Sequence, residues 1–267
     1  MSNAMAYIFI QTSLTNSVFH ITLNRPDKLN SFNFEMGIEI QKAFKEATSN
    51  KEIRCVLLTG SGRAFCAGQD LEEVVEIGKD PQRELSEVVH HTYNPLIKAI
   101  RNLQKPVICA VNGTAAGAGA NIALACDMVL ASENAKFIQS FSNLGLIPDS
   151  AGTYILPRLV GLARATELTF TGRPVKAPEA VAMGMIYKSV PSEELMIEAT
   201  NLCKHLAKMP TLGFGLTKQG FNAGFDNSLE TQLELEAELQ AKAGSTKDYN
   251  EGVQAFLEKR NPHFVGE

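Results

Sequence analysis

The 267-residue chain has no tryptophan, and its phenylalanines and tyrosines bring the aromatic share to only 7%. No apolar run reaches the roughly 20 residues a membrane-spanning helix needs, so none is expected. There is no basic excess either: 25 Lys and Arg against 29 Asp and Glu leave a net charge of -4, which argues against a nucleic-acid partner. The five cysteines (Cys55, Cys66, Cys109, Cys126, Cys203) show no CxxC spacing and stand mostly in apolar surroundings. Buried, reduced thiols in a cytosolic protein are the reading that fits. The five histidines lack metal-ligand spacing. His90 and His91 are the one adjacent pair, and neighbours on a helix point apart. A Gly-x-Ser-x-Gly elbow is absent, as is a glycine-rich loop ending in Gly-Lys-Ser/Thr, which disfavours triad hydrolases and P-loop enzymes. No internal repeat or low-complexity stretch stands out.

What is present reads as an α/β protein. Residues 1–4, ahead of Met5, read as a remnant of an expression tag, with no signal peptide after them. Residues 7–11 and 18–23 alternate apolar and polar side chains around Thr15-Asn16-Ser17, predicting an opening hairpin. Ser31 or Asn33 can cap a helix to about Thr48, whose Met36, Ile40, Ala43, Phe44 and Ala47 fall on one stripe. Apolar runs at 55–59, 107–111, 128–131 and 136–141 predict strands, the first two buried on both faces. The charged segment 72–99, with breakers Gly78 and Pro81, reads as two helical pieces or a flap. After Asp149, helices are predicted at 153–160, 162–170, 178–183 and 191–208, with one short strand at 185–190. From Thr211 onward only helices are expected, and amphipathic 228–242, with Leu229, Leu233 and Leu239, could dock on the core or on a neighbouring subunit. The division is thus a core of 5–208 and a helical region of 209–267.

The chemistry concentrates between Ala115 and Gly152. The small-residue turn 115–120 follows a strand and precedes a short apolar helix at 121–126. Backbone N–H groups in such a turn can approach a ligand closely, and at a helix start they favour an anion. A dinucleotide reading of Gly117-Ala118-Gly119 fails, because Ile122 takes the third glycine position and Glu133 arrives too soon to bind a ribose. Close helix packing is the plainer use of these small residues. Ala67-Gly68-Gln69-Asp70-Leu71 is a second turn after a strand, and could supply a second N–H. Asp149, between Pro148 and Ser150, reads from the residues alone either as a helix cap or as a lone reactive carboxylate.

Four blocks in order resemble the enoyl-CoA hydratase/isomerase, or crotonase, superfamily. They are Leu23-Asn24-Arg25-Pro26 with Leu29-Asn30-Ser31, the stretch 65–71, the stretch 106–113 with the Ala/Gly turn, and Gly145-Leu146-Ile147-Pro148-Asp149. The resemblance spans essentially the whole chain. It implies a spiral of repeated ββα units and a C-terminal α-helical trimerisation region, in trimers or in hexamers made of two trimers. It also implies an acyl-CoA thioester substrate, with CoA arriving as part of that substrate and no separate cofactor or metal.

By motif position, the backbone N–H groups of Gln69 and Ala118 would hold an enolate oxygen and Asp149 would be the acid/base. Arg25, Lys28 and Leu29 would lie near the CoA nucleotide, and Ala67, Gly68, Gln69, Asp70 and Leu71 along the pantetheine. Gly117, Asn121 and Phe141 would also contact the acyl-CoA substrate, while Phe256 and Lys259 would reach a neighbour's CoA pocket. Members that add water carry two glutamates where this chain has Asn121 and Phe141, so isomerisation rather than hydration is implied. Within the family, blocks 65–71, 115–120, 143–149 and 248–260 are most similar to a branch that rearranges a phenylacetyl-CoA ring epoxide. Isomerisation of a linear Δ3-enoyl-CoA is the nearest alternative. An aryl-CoA dehalogenase, which expects aromatic side chains around the ring, and a silent scaffold of the same fold are further ones.

Overall fold

The computed structural model describes residues 7–77, 79 and 84–267. The tag reading at 1–4 and the breakers Gly78 and Pro81 lie outside the described residues. Strands β1 (Ile10–Thr15) and β2 (Val18–Leu23) form an antiparallel hairpin, with Asn16 and Ser17 both at positive φ in its turn. The first strand starts three residues later than its alternation predicts. The N–H groups of Ile8, Phe9 and Ile10 donate to the Glu39 carboxylate instead of extending a ladder. Glu39 belongs to α1 (Phe34–Ser49), capped by the Asn33 side chain, which accepts from the Met36 N–H. All five predicted stripe residues of α1 are buried.

From there the chain winds as a spiral, each turn giving one strand to a large sheet and the next to a small one. Strands β3 (Cys55–Gly60), β5 (Val107–Val111), β7 (Met128–Ser132) and β10 (Lys188–Val190) extend the hairpin into a six-stranded sheet of order β1-β2-β3-β5-β7-β10. The short strands β4 (Ala64–Cys66), β6 (Thr114–Ala116), β8 (Lys136–Ile138) and β9 (Pro174–Lys176) form a four-stranded sheet. Strands from β2 onward in the large sheet pair in parallel, as crossover connections require. Buried on both faces, β3 divides its side chains. Val56 and Leu58 join the main core, and Cys55 and Leu57 face α9 (Leu195–Ala207) together with Ile108, Leu130, Ala199 and Cys203. All five cysteines are buried and unbridged.

The connections are helical: α2 (Leu71–Ile77), α3 (Leu85–Val88), a π-turn (Val89–Tyr93), α4 (Asn94–Asn102), α5 (Ala118–Leu124), α6 (Gly152–Val160), α7 (Leu162–Thr171) and α8 (Ala177–Ala182). Further predicted elements need correction, among them the strand expected at 185–190, which spans only Lys188–Val190. Helix α5 begins at Ala118 rather than Asn121, because Gly117 at φ 51° turns the chain straight from β6 into the helix. The strand predicted for 136–141 ends at Ile138, and Phe141 sits in a 3-10 turn (Ser140–Leu144) instead. The three-residue strands β6 and β9 were not anticipated.

The C-terminal region is helical as expected: α10 (Thr211–Gly224), α11 (Leu229–Gly244) and α12 (Lys247–Glu258). Helix α10 is anchored by Lys218, whose ammonium, mostly buried, meets Asp127 at 2.8 Å. Of the three predicted α11 leucines only Leu239 is buried, while Leu229 and Leu233 are exposed. Among the described residues, no helix is long and apolar enough to cross a membrane.

Candidate active site

Two turns that are distant in sequence meet at the ends of β4 and β6. At Gly68 (φ 96°) a methyl group would stand 3.0 Å from the Ala116 carbonyl oxygen and 3.8 Å from the Gly117 Cα. The turns are therefore in backbone contact, and glycine is required for conformation as well as space. Gly119 follows for a different reason: its Cβ would fall 2.4 Å from the Cys66 carbonyl oxygen, so α5 packs directly on β4. Among the described residues, the N–H groups of Gln69 and Ala118 donate to no partner. That of Ala118 is one of the free donors at the start of a helix. Unpaired backbone donors in packed structure are uncommon, and a pair of them suits an anionic oxygen.

The Gln69 turn is held from behind. Phe32 pairs with it by two backbone bonds, accepting from the Asp70 N–H at 2.9 Å and donating to the Gly68 carbonyl at 2.7 Å. Arg25 donates to Asp70 at 2.8 Å and to the Ser31 carbonyl at 2.6 Å. Burial would raise the Asp70 carboxyl, but Arg25 beside it and the Glu72 N–H hold it below its ordinary value. Ala67 donates to the Leu29 carbonyl, so the loop carrying Arg25, Lys28 and Leu29 is brought to this turn. Lys28 is more exposed, in an ion pair with Glu72, and Leu71, which opens α2, is exposed.

Asp149 stands half-buried beside α5. The buried Asn121 side chain, on the first turns of α5, donates to the Asp149 carbonyl at 2.9 Å and accepts from Gln139 Nε2 at 2.9 Å. The Asp149 carboxylate accepts from the Ser150 hydroxyl at 2.9 Å, and burial pushes its pKa up from 3.8 to about 6. The helix-cap reading does not hold. Ala151 is the cap residue of α6, and the Gly152 N–H reaches the Asp149 carbonyl, not its carboxylate. Ser150 and Ala151 both take positive φ, a strained path that holds Asp149 outside the helix. Phe141 is buried, its ring edge 3.8 Å from where a Gly117 Cβ would be.

Phe256 and Lys259 are not brought to this cluster within one chain. Phe256, on α12, is exposed and lines a cavity of about 450 Å³ inside the helical region with Leu212, Tyr249 and Phe264. Lys259 is the residue that ends α12. A roomier cavity of about 930 Å³ is lined by Leu124, Tyr154 and Phe221 among others. It touches the cluster only at Ala151.

Two features of the cluster carry no sequence signal: the Gln139–Asn121 bridge, and Tyr93. The Tyr93 side chain is fully buried, with its ring centroid 5.5 Å from that of Phe32. Burial first, then the negative charge of Asp149, raises its phenol well above the ordinary value. Glu73, whose charge also reaches Tyr93, already accepts from the Phe34 N–H at 3.1 Å. No group of three or more potential metal-ligating side chains occurs among the described residues.

Comparison with known proteins covers nearly the whole chain. Residues 13–267 match the Enoyl-CoA hydratase/isomerase family. The chain is 49% identical over 258 residues to the 1,2-epoxyphenylacetyl-CoA isomerase of Escherichia coli (strain K12), covering 97% of this chain and 98% of that one. It is 44% identical to the "Probable enoyl-CoA hydratase" of Rhodobacter capsulatus, covering 98% and 100% of the two chains. Among solved structures, the enoyl-CoA hydratase of Bacillus anthracis superposes with a TM-score of 0.89 at 34% identity, covering 97% of this chain and 100% of that one. With a match this long and a spiral of this topology, the chain belongs to the enoyl-CoA hydratase/isomerase family.

Proposed function

We propose that this enzyme, which acts on CoA thioesters, is an isomerase whose acid/base is Asp149, with the Gln69 and Ala118 N–H groups holding the thioester oxygen. The observation that carries this is the Asp149 carboxylate, half-buried and poised near a pKa of about 6, beside two unpaired backbone donors. A base with a pKa close to the working pH combines a useful ionised fraction with real affinity for the proton. Asp149 takes a proton from the carbon alpha to the thioester, and the C–H electron pair moves into the carbonyl as an enolate. The N–H pair stabilises the negative oxygen. Asp149 then returns the proton to a carbon conjugated with the enolate instead of to the alpha carbon, so one C–H bond is exchanged for another, the product is an isomer and no water is consumed.

Hydration is disfavoured by the chain's own residues. Asn121 is committed to Gln139 and to the Asp149 carbonyl, and Phe141 has no proton to move. For the acyl group we favour the phenylacetyl-CoA ring epoxide, rearranged to its oxepin isomer. The support is the 49% identity to a 1,2-epoxyphenylacetyl-CoA isomerase. CoA belongs to the substrate, and no further cofactor is called for. The exposed Leu229 and Leu233 of α11, with Phe256 and Leu257 of α12, support burial against further copies of the chain, as a trimer or as a hexamer of two trimers.

The test is side-by-side turnover of the ring-epoxide phenylacetyl-CoA and a linear 3-enoyl-CoA by wild type and Asp149→Asn. Epoxide preference that disappears in the variant supports the proposal. Preference for the linear substrate would move the enzyme to fatty-acyl isomerisation, and near-normal activity of Asp149→Asn would remove Asp149 from the mechanism.

A further inference from the structure

Four side-chain polar atoms among the described residues are buried without a hydrogen-bond partner: Tyr7 Oη, Gln69 Nε2, Tyr93 Oη and Gln139 Oε1. Three of these belong to the cluster around Asp149. Gln69 carries one of its turns, Gln139 holds Asn121, and the Tyr93 ring packs on Phe32, whose backbone pairs with the residues flanking Gln69. Each such orphan costs about 1–3 kcal/mol of stability. Scattered orphans would be packing faults, whereas a cluster at a candidate site indicates groups kept open for a ligand.

Tyr93 is the best placed of the three, since it has no exposed surface and ends the π-turn Val89–Tyr93. Such turns insert an extra residue into a helix and so re-aim one side chain, often at a functional site. A phenol can donate as well as accept, whereas the Gln139 amide is already engaged with Asn121.

We propose that Tyr93 is a specificity residue whose hydroxyl donates a hydrogen bond to an oxygen borne by the acyl group, so that the site takes oxygenated acyl-CoA thioesters in preference to plain hydrocarbon ones. This rests on the thioester binding at Gln69 and Ala118, and it adds a reason for the site to select a ring oxygen. A hydrocarbon acyl group would leave the phenol unpaired in the bound state. An oxygen at the right place removes that penalty on binding.

The test is a calorimetric titration of wild type and Tyr93→Phe with 2-hydroxyphenylacetyl-CoA and with phenylacetyl-CoA. The wild type should bind the oxygenated ligand about tenfold more tightly, the worth of one hydrogen bond, and Tyr93→Phe should bind the two within about twofold. The melting temperature of the variant should stay level or rise, because only an unpaired hydroxyl is removed. A preference that survives in Tyr93→Phe, or is missing from the wild type, overturns the proposal. So does a lower melting temperature, which would mean that the hydroxyl serves the fold. These readouts need no turnover, so they remain separate from the fate of Asp149 as the base.

Discussion

The side-chain amide of Asn121 donates to the main-chain carbonyl of Asp149 across 2.9 Å, so the helix that begins at the Ala118 N–H also fixes the backbone of the acid. Donor and acid are thereby held at one distance, which proton transfer next to a developing oxyanion demands. Asn121→Ala would orphan Gln139 Nε2 and leave the Asp149 carbonyl with the Gly152 N–H alone, at a cost of about 1–3 kcal/mol. Thermal melting should show that loss. Because the carboxylate would also lose its register, kcat should fall more than KM rises, and steady-state kinetics of the same variant checks this.

Burial raises Asp149 from 3.8 to about 6, and the sign of the consequence differs for stability and for activity. A carboxyl whose folded-state pKa is raised stabilises the fold fully below its unfolded pKa, and that contribution is lost as pH rises through about 6. At about 1.4 kcal/mol per unit, the penalty at neutral pH is on the order of 3 kcal/mol. Asp149→Asn should therefore be more stable than wild type above pH 6 and lose that advantage below pH 4. Turnover moves the other way, rising with pH through about 6 as the base ionises. Denaturation curves at pH 4 and 8, with a kcat profile between, test both signs.

Much of this was legible in the residues, and the failures have local causes. Continuous apolar runs located β3 and β5, because strands buried on both faces need no alternation. The small sheet was harder. Thr114–Ala116 and Pro174–Lys176 are three residues long, too short for any period to show. The first strand slipped because Glu39, distant in sequence, takes the amides of Ile8 to Ile10. The site divides in the same way. The Gly68 and Gly117 turns were visible as glycine-bearing loops, but their contact depends on β4 pairing in parallel with β6, which is distant in sequence. Tyr93 lies in a segment whose charge suggested a flap, and its burial comes from Phe32 and the π-turn.

Gly119→Ala tests whether the small-residue turn serves packing as well as chemistry. The new methyl would meet the Cys66 carbonyl oxygen and side chain at 2.4–2.8 Å, and neither is the far end of a flexible chain. Helix α5 must then shift away from β4, carrying the Ala118 N–H with it. Overpacking of this kind costs about 1–3 kcal/mol, and displacing one oxyanion donor costs ~10²–10³ in rate. A loss of stability with little change in residual turnover would show that Ala118 is not a donor in the reaction.

Arg25 tests a different claim, that the loop near the Gln69 turn is there to meet CoA. Its guanidinium is already spent on Asp70 at 2.8 Å and on the Ser31 carbonyl, with both side chains of the ion pair largely buried. Arg25→Ala would leave Asp70 buried without its cation, a defect that typically costs about 3–5 kcal/mol. Asp70 is held below its ordinary pKa, so its contribution is present at neutral pH and lost as pH falls through the folded value. The variant should thus be much less stable than wild type at pH 7, and the gap should narrow in acid. Arg25→Lys keeps the charge but not the two-pronged reach, and should recover only part of the stability. If CoA binding by Arg25→Lys fell while its stability stayed at the wild-type level, Arg25 would be a nucleotide contact first and a brace for the Gln69 turn second.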